Sequence, residues 1–405
     1  MAAGSQRVVL AGARVFDGTG SPPAEADVVV ADGHIVAVGR GLDADERVDL
    51  TGKGLLPGLI DCHVHVVISP GPRHELLQVP FSYRFFRAVA NLEATIATGI
   101  TTARDAAGAD LGVKRAVADG LVRGPRLQIA IRMLSQTGGH GDEWQLCGSA
   151  PGLAFPTYPG MPDGVIDGPD AARRAARTLV RAGADWIKVA TTGGFSSPVS
   201  DPARPHLRLD ELTELQTEAD AAGRHVMAHA QGLAGVKNAL AAGFRSIEHG
   251  VWLDDEAIAR MVEQGTWLVP TLLVPVWSLE NGRPQPKFDL PATIEAHADS
   301  FGRAVEAGVR IALGTDCGIV PHGENLRELE LMVERGLSPT QALVAATSDA
   351  AQLLGLADSI GTIEEGKRAD LVVVEGDPLD IRDLRARIQA VYQDGRLVSG
   401  GRSES

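Results

Sequence analysis

The chain has 405 residues, 44% hydrophobic and 22% charged, an ordinary globular composition with ample length for a large core. Acidic residues outnumber basic ones by 52 to 38, the formal charge is −14, and no Lys/Arg-rich run offers a surface for phosphates, so nucleic acid is not an expected partner. No stretch reaches the roughly eighteen apolar residues of a membrane span, no secretory-type apolar core follows Met1, and Cys62, Cys147 and Cys317 are too scattered for a disulfide framework; the expectation is a soluble, cytoplasmic protein with reduced thiols.

From Val8 to Leu55 short β-type runs alternate with turn signals, and the idiom returns near the C-terminus in Ala369-Asp-Leu-Val-Val-Val and Ala390-Val-Tyr-Gln-Asp-Gly-Arg. Neither half buries a core alone. The prediction is a small β-sandwich domain assembled from residues 1–56 and 361–405, with a larger domain of residues 57–360 between them.

That larger stretch alternates β-rich runs with helical segments, the pattern of a parallel sheet with crossover helices. Eight strands are predicted in order, starting at Gly58, Ile100, Leu127, Trp186, His225, Ser246, Trp267 and Arg310, with amphipathic helices such as Ala171–Ala182, Leu209–Ala222 and Ala292–Ala307 between them. Eight such units fit an α/β fold of the (β/α)8 TIM-type barrel. The alternative, a doubly wound open sheet, lacks its glycine-rich dinucleotide fingerprint after the first strand.

In a barrel the chemistry sits where the strands end and the loops converge. His63 and His65 close the first strand in Asp61-Cys-His-Val-His, and their spacing of two puts both imidazoles on one face. Lys188 lies in the fourth strand, His229 ends the fifth, His249 the sixth and Asp316 the eighth. Singly, each is more often a structural residue than a ligand; together, at the ends of five strands, they point to a binuclear metal centre. An ammonium would be repelled by two cations, whereas a neutral amine takes up CO₂ and becomes a carbamate able to bridge two ions. One divalent ion would then sit on His63, His65 and Asp316, the other on His229 and His249, with a carbamate on Lys188 and a hydroxide between. Nitrogen and oxygen donors without thiolate suit Zn²⁺, with manganese, cobalt and iron left open. Such a hydroxide is placed to attack a polarised carbonyl carbon, and Asp316 takes the part of general base, then of acid toward a leaving nitrogen.

These residues resemble the amidohydrolase superfamily in its binuclear branch with a carboxylated lysine, and the resemblance extends over nearly the whole chain, through the closing Gly361-Thr-Ile-Glu-Glu-Gly-Lys-Arg-Ala-Asp-Leu. Within it, Gln136-Thr-Gly-Gly-His-Gly-Asp, Ile187-Lys-Val-Ala-Thr-Thr-Gly-Gly, Ala228-His-Ala-Gln-Gly and Ser246-Ile-Glu-His-Gly look like the prolidase-type (Xaa-Pro dipeptidase) and ochratoxin-hydrolysing members. Where such members often carry His-Ala-His-Gly, this chain has Gln231. The resemblance implies hydrolysis of an amide or dipeptide beside a carboxylate, a homo-oligomer, and a role for His140 in holding the substrate's carboxylate or carbonyl oxygen. A carbamate, urea or ester substrate on the same site is the second reading; a one-metal deaminase is disfavoured by Lys188 and a non-catalytic scaffold by the intact ligand set.

Around this centre several residues keep two readings. Arg132 either binds a carboxylate or pairs with a neighbouring acid, and His322 either lines the pocket or caps a loop. Arg104-Asp105 is expected as an ion pair at the barrel mouth. The long segment from Cys147 to Gly168 is either a lid or a subunit contact.

Overall fold

The structure, a computed structural model, describes residues 6–400 apart from 196, 198 and 284–287. The extreme ends of the predicted β-sandwich segments, 1–5 and 401–405, therefore lie outside the described residues.

Strands form at all eight expected places, from Leu59–Val64 to Arg310–Ile311, and they are parallel. Their apolar runs are buried on both faces, as befits parallel strands covered by crossover helices. The hydrogen-bonded ladder is divided into two arcs: Leu59–Val64, Ile100–Asp105 and Arg126–Ile129 form one, and six strands from Met133–Leu134 to Arg310–Ile311 form the other. The division falls inside the third predicted strand, where Ile131 takes a positive φ of 63° and the ladder is interrupted. At the opposite junction Cys62 N–H donates to the Leu313 carbonyl at 2.8 Å and Val64 bridges Cys317 in parallel.

The helices between strands start and stop where local chemistry dictates. Asp254 accepts from Ala257 N–H to open Asp255–Gln264, which stops at the left-handed Gly265 (φ 67°). The predicted helices near 171, 209 and 292 appear as Pro169–Arg181, Leu209–Ala221 and Leu290–Glu306.

Strands from both ends of the chain join in a single hydrogen-bonded sheet, in the order Arg396–Gly400, Ile388–Gln393, Leu371–Glu375, Lys53–Pro57, Val8–Val15, Ala24–Ala31 and His34–Gly39. The hydrogen bonds describe one mixed sheet and do not by themselves confirm the expected β-sandwich. Val8–Val15 shifts register around Gly12 (φ 72°), so that one half pairs in parallel with Glu46–Asp49 and the other with Lys53–Pro57. Leu10, Val28, Leu55, Leu371 and Val373 pack into its own apolar core. Among the described residues no helix is long and apolar enough to cross a membrane.

Candidate active site

His63, His249 and Asp316 converge so closely that one donor atom from each lies within 4.8 Å of the others. Two of them require unusual backbone: His249 has φ 77° and Asp316 φ 58°, a left-handed turn at the strand ends that side chains other than glycine adopt only when the surroundings enforce it. His65 Nε2 lies 3.2 Å from Asp316 Oδ1, and the His63 and His65 rings are 5.5 Å apart. His229 stands 4.6 Å from His249, ring to ring.

Each imidazole has one nitrogen engaged away from this centre, which fixes the nitrogen left for it. His63 Nδ1 lies 2.7 Å from Glu248 Oε2, His65 Nδ1 2.7 Å from the Ala107 carbonyl and His249 Nδ1 2.7 Å from Thr271 Oγ1, leaving Nε2 on all three. His229 is the reverse, with Nε2 at 2.9 Å from the Gly193 carbonyl and Nδ1 left. Burial, followed by the nearby Lys188 charge, drives His229 down to about 3; burial also holds His63 and His249 well below the ordinary histidine range. Neutral rings of fixed tautomer are what a metal ligand requires.

Lys188 is 1% exposed, and among the described residues its Nζ has no hydrogen-bond partner; burial lowers its pKa to about 8. Asp316 Oδ1 is buried without a properly oriented hydrogen bond. His65 goes the other way: burial lowers its pKa, but the hydrogen bond and charge of Asp316 outweigh it and raise it. An orphaned amine, a buried carboxylate and imidazoles of fixed tautomer fit divalent cations: His63, His65, His229, His249 and Asp316 have the donor chemistry to hold them. Cys62 and Cys317 alternate with these ligands in sequence, yet burial pushes both thiols up in pKa and keeps them protonated.

A cavity of about 390 Å³ opens above these groups. His140 lines it, stacked on His229 at 4.5 Å and 26°, and its ring occupies the space where a side chain at Gly194 would begin. Arg132 and His322, the other sequence-proposed substrate residues, do not line the cavity. The Arg132 guanidinium donates to the Phe155 carbonyl and lies 5.4 Å from that ring, so it shapes the wall from behind. His322 caps a loop, its ring nitrogens engaged by Thr95 Oγ1 at 3.0 Å and the His65 carbonyl at 3.2 Å. The segment 147–168 contributes Leu153, Ala154 and Phe155 to the cavity wall, held by Glu143, which accepts from the N–H groups of Ala154 and Phe155.

Arg104 does not pair with Asp105. Successive strand residues face opposite ways, so Asp105 accepts from Val66 and Ala109 N–H while Arg104 turns inward to Glu248 at 2.9 Å. Sequence reasoning missed Glu248, Thr271, Arg283 and His297, all at or beside the site. Glu248 carried one usable signal, a charged residue inside an otherwise apolar strand; the other three sit on loops and helices whose approach is set only by the tertiary fold.

Residues 55–400 match the Amidohydrolase family. The chain is 33% identical to the ochratoxinase of Aspergillus niger over 412 residues, covering 95% of this chain and 85% of that protein. The crystal structure of that fungal ochratoxinase superposes with a TM-score of 0.88 at 30% identity, over 98% of this chain and 97% of that one. A prolidase complexed with N-methylphosphonate-L-proline matches at TM-score 0.90 and 32% identity, over 98% and 100% of the two chains. With a site suited to metal-assisted hydrolysis and likeness along almost its entire length, the chain belongs to the amidohydrolase family and is a hydrolase acting on C–N bonds.

Proposed function

We propose that the two arcs work as one (β/α)8 barrel whose mouth hydrolyses an amide bond beside a carboxylate, for which two divalent ions and a carbamate on Lys188 would supply the Lewis-acid chemistry. His63, His65 and Asp316 would hold one ion, His229 and His249 the other. The observation that carries this reading is Lys188: a buried primary amine with no hydrogen-bond partner among the described residues, its pKa lowered to about 8, beside the imidazoles of His63, His229 and His249, which burial keeps neutral.

When bound, the ions supply Lewis acidity, polarising the acyl carbonyl and acidifying the attacking water. Asp316 accepts one proton as the water oxygen bonds to the acyl carbon, and delivers it to the nitrogen as the C–N bond breaks; the products are a carboxylic acid and an amine. His140, stacked over His229, orients the substrate through its carbonyl or carboxylate oxygen. Arg87 and Arg283 line the cavity and suit an anionic group, while Phe155 and Phe195 suit an apolar acyl group. The prolidase and ochratoxinase relatives support this class of substrate.

Metal content per chain, measured for wild type and Lys188→Ala beside hydrolysis of N-acyl amino acids, Xaa-Pro dipeptides and ochratoxin A, tests it. Two ions in wild type, with occupancy and turnover both falling in the variant, is the expected result. A Lys188→Ala protein as active as wild type would overturn the carbamate-bridged site.

A further inference from the structure

Thr271 is the least comfortable residue near the centre. It is 1% exposed, lies two residues beyond the strand Trp267–Val269, and holds φ at 53°. A β-branched side chain in the left-handed region is a genuine outlier, because its branched Cβ crowds the backbone there. Glycine would make this turn without cost. Its strained conformation aims Oγ1 at His249 Nδ1, 2.7 Å away.

What keeps Thr271 there comes from another part of the chain. The helix Leu273–Glu280 starts immediately after it without a side-chain cap of its own. Glu328, fully buried on the helix Arg327–Glu334, takes that place: Leu272 N–H donates to Oε1 at 2.7 Å and Leu273 N–H to Oε2 at 2.8 Å. Two N–H groups that a helix start would otherwise leave unsatisfied are thereby pinned, and with them the peptide that follows Thr271. On the other side of His249, His297 Nε2 donates to its carbonyl at 2.9 Å. The His249 imidazole is thus held by Thr271, and its backbone by His297.

The geometry points to Thr271 and Glu328 as a joint positioning device for His249: Glu328 holds the turn, the turn holds Thr271 in its strained conformation, and the Thr271 hydroxyl accepts from His249 Nδ1–H, so that Nε2 is the nitrogen that would be left for a metal. Neither residue is a metal ligand. This rests on the two-ion reading above, and it adds to it a reason for the backbone strain, which a merely structural turn would have shed by using glycine.

The test is titration of the metal-free full-length protein with Zn²⁺ in a buffered free-metal series, for wild type, Thr271→Gly, Thr271→Ser and Glu328→Gln, beside thermal unfolding of each without metal. Loss of a group that orients a ligand typically weakens metal binding about 10- to 100-fold. Thr271→Gly is expected to lose affinity on that scale for the ion held by His249 while the metal-free protein unfolds no earlier than wild type. Thr271→Ser, which keeps the hydroxyl, is expected to return close to wild-type affinity, and Glu328→Gln to weaken binding and stability together. Undiminished affinity in Thr271→Gly, or a serine variant as weak as the glycine one, overturns the proposal. A wild type that binds one ion overturns the two-ion reading alone, since the comparison still reports on the ion at His249; a wild type that binds none overturns both.

Discussion

Glu248 Oε2 lies 2.7 Å from His63 Nδ1, and the next residue, His249, has its ring 5.2 Å from that same imidazole. Consecutive strand residues ordinarily face opposite ways. The positive φ of His249 cancels the alternation, so one dipeptide supplies both an acceptor that orients one histidine and a second histidine beside it.

Glu248 also holds Arg104, whose guanidinium lies fully buried over the Trp186 ring at 4.5 Å. Glu248→Ala strands that cation, and breaking one partner from a buried pair costs about 3–5 kcal/mol. Urea unfolding should show a loss of this size. The double change Glu248→Leu with Arg104→Met should regain much of the stability but not the affinity for metal, because His63 still lacks its acceptor. Wild-type metal affinity in that double variant would remove His63 orientation from the role of Glu248.

Burial brings Lys188 down to about 8, and only the unprotonated amine reacts with CO₂. At fixed dissolved CO₂, metal-free protein should therefore load Zn²⁺ faster as the pH is raised through about 8. Stability has a matching sign. Between about 8 and the ordinary lysine value of 10.5 the unfolded chain binds more protons than the native one, so the metal-free protein gains stability as pH rises across that window. Lys188→Met should lack the gain, and denaturation at several pH values measures it.

Much of this candidate site was legible in the sequence because the residues that converge on it sit where short periodic signals end. His63-Val-His65 closes an apolar run, Lys188 interrupts one, and His229, His249 and Asp316 each precede a turn. Arg132 and Arg104 were legible as charges at strand ends, but what they meet is distant in the chain: Phe155 lies 23 residues from the first and Glu248 144 residues from the second. Alternation along a strand says which face a side chain takes and nothing about what waits there. Thr271 gave no signal at all, since nothing local marks a threonine for a left-handed conformation. The pairing that joins the two chain ends, Leu371–Glu375 against Lys53–Pro57, was not legible for a related reason: it links segments more than 300 residues apart.

A methyl at Gly194 would lie 2.3 Å from His140 Cε1 with the ring where it is. Gly194→Ala must therefore push His140 off its stack with His229. A misplacement near 1 Å of an orienting group costs about 10²-fold in rate. The expected outcome is that loss in kcat/KM with metal content unchanged from wild type, read by steady-state kinetics beside metal analysis. Full activity in Gly194→Ala would show that the position of His140 does not matter to turnover.

Arg283 is the residue best suited to choose the substrate. Its guanidinium lies 4.6 Å over the Trp277 ring, lines the cavity, and has no ion pair among the described residues; one long contact of 3.4 Å to the Ile319 carbonyl is its protein hydrogen bond there. Arg84, by contrast, is committed to the carbonyls of Leu153 and Ala154 in the loop that walls the cavity. A hydrogen bond to a charged group is worth about 1.5–3 kcal/mol, so Arg283→Met should raise KM for an N-acyl amino acid by roughly 10- to 150-fold with kcat little changed. The same substrate as its primary amide offers no negative charge, and its KM should be nearly equal for wild type and variant. Because the comparison pairs two substrates on one protein, a fold defect would weaken both, and only lost recognition of the carboxylate would separate them. An equal rise in KM for acid and amide would assign the anionic group to another part of the cavity.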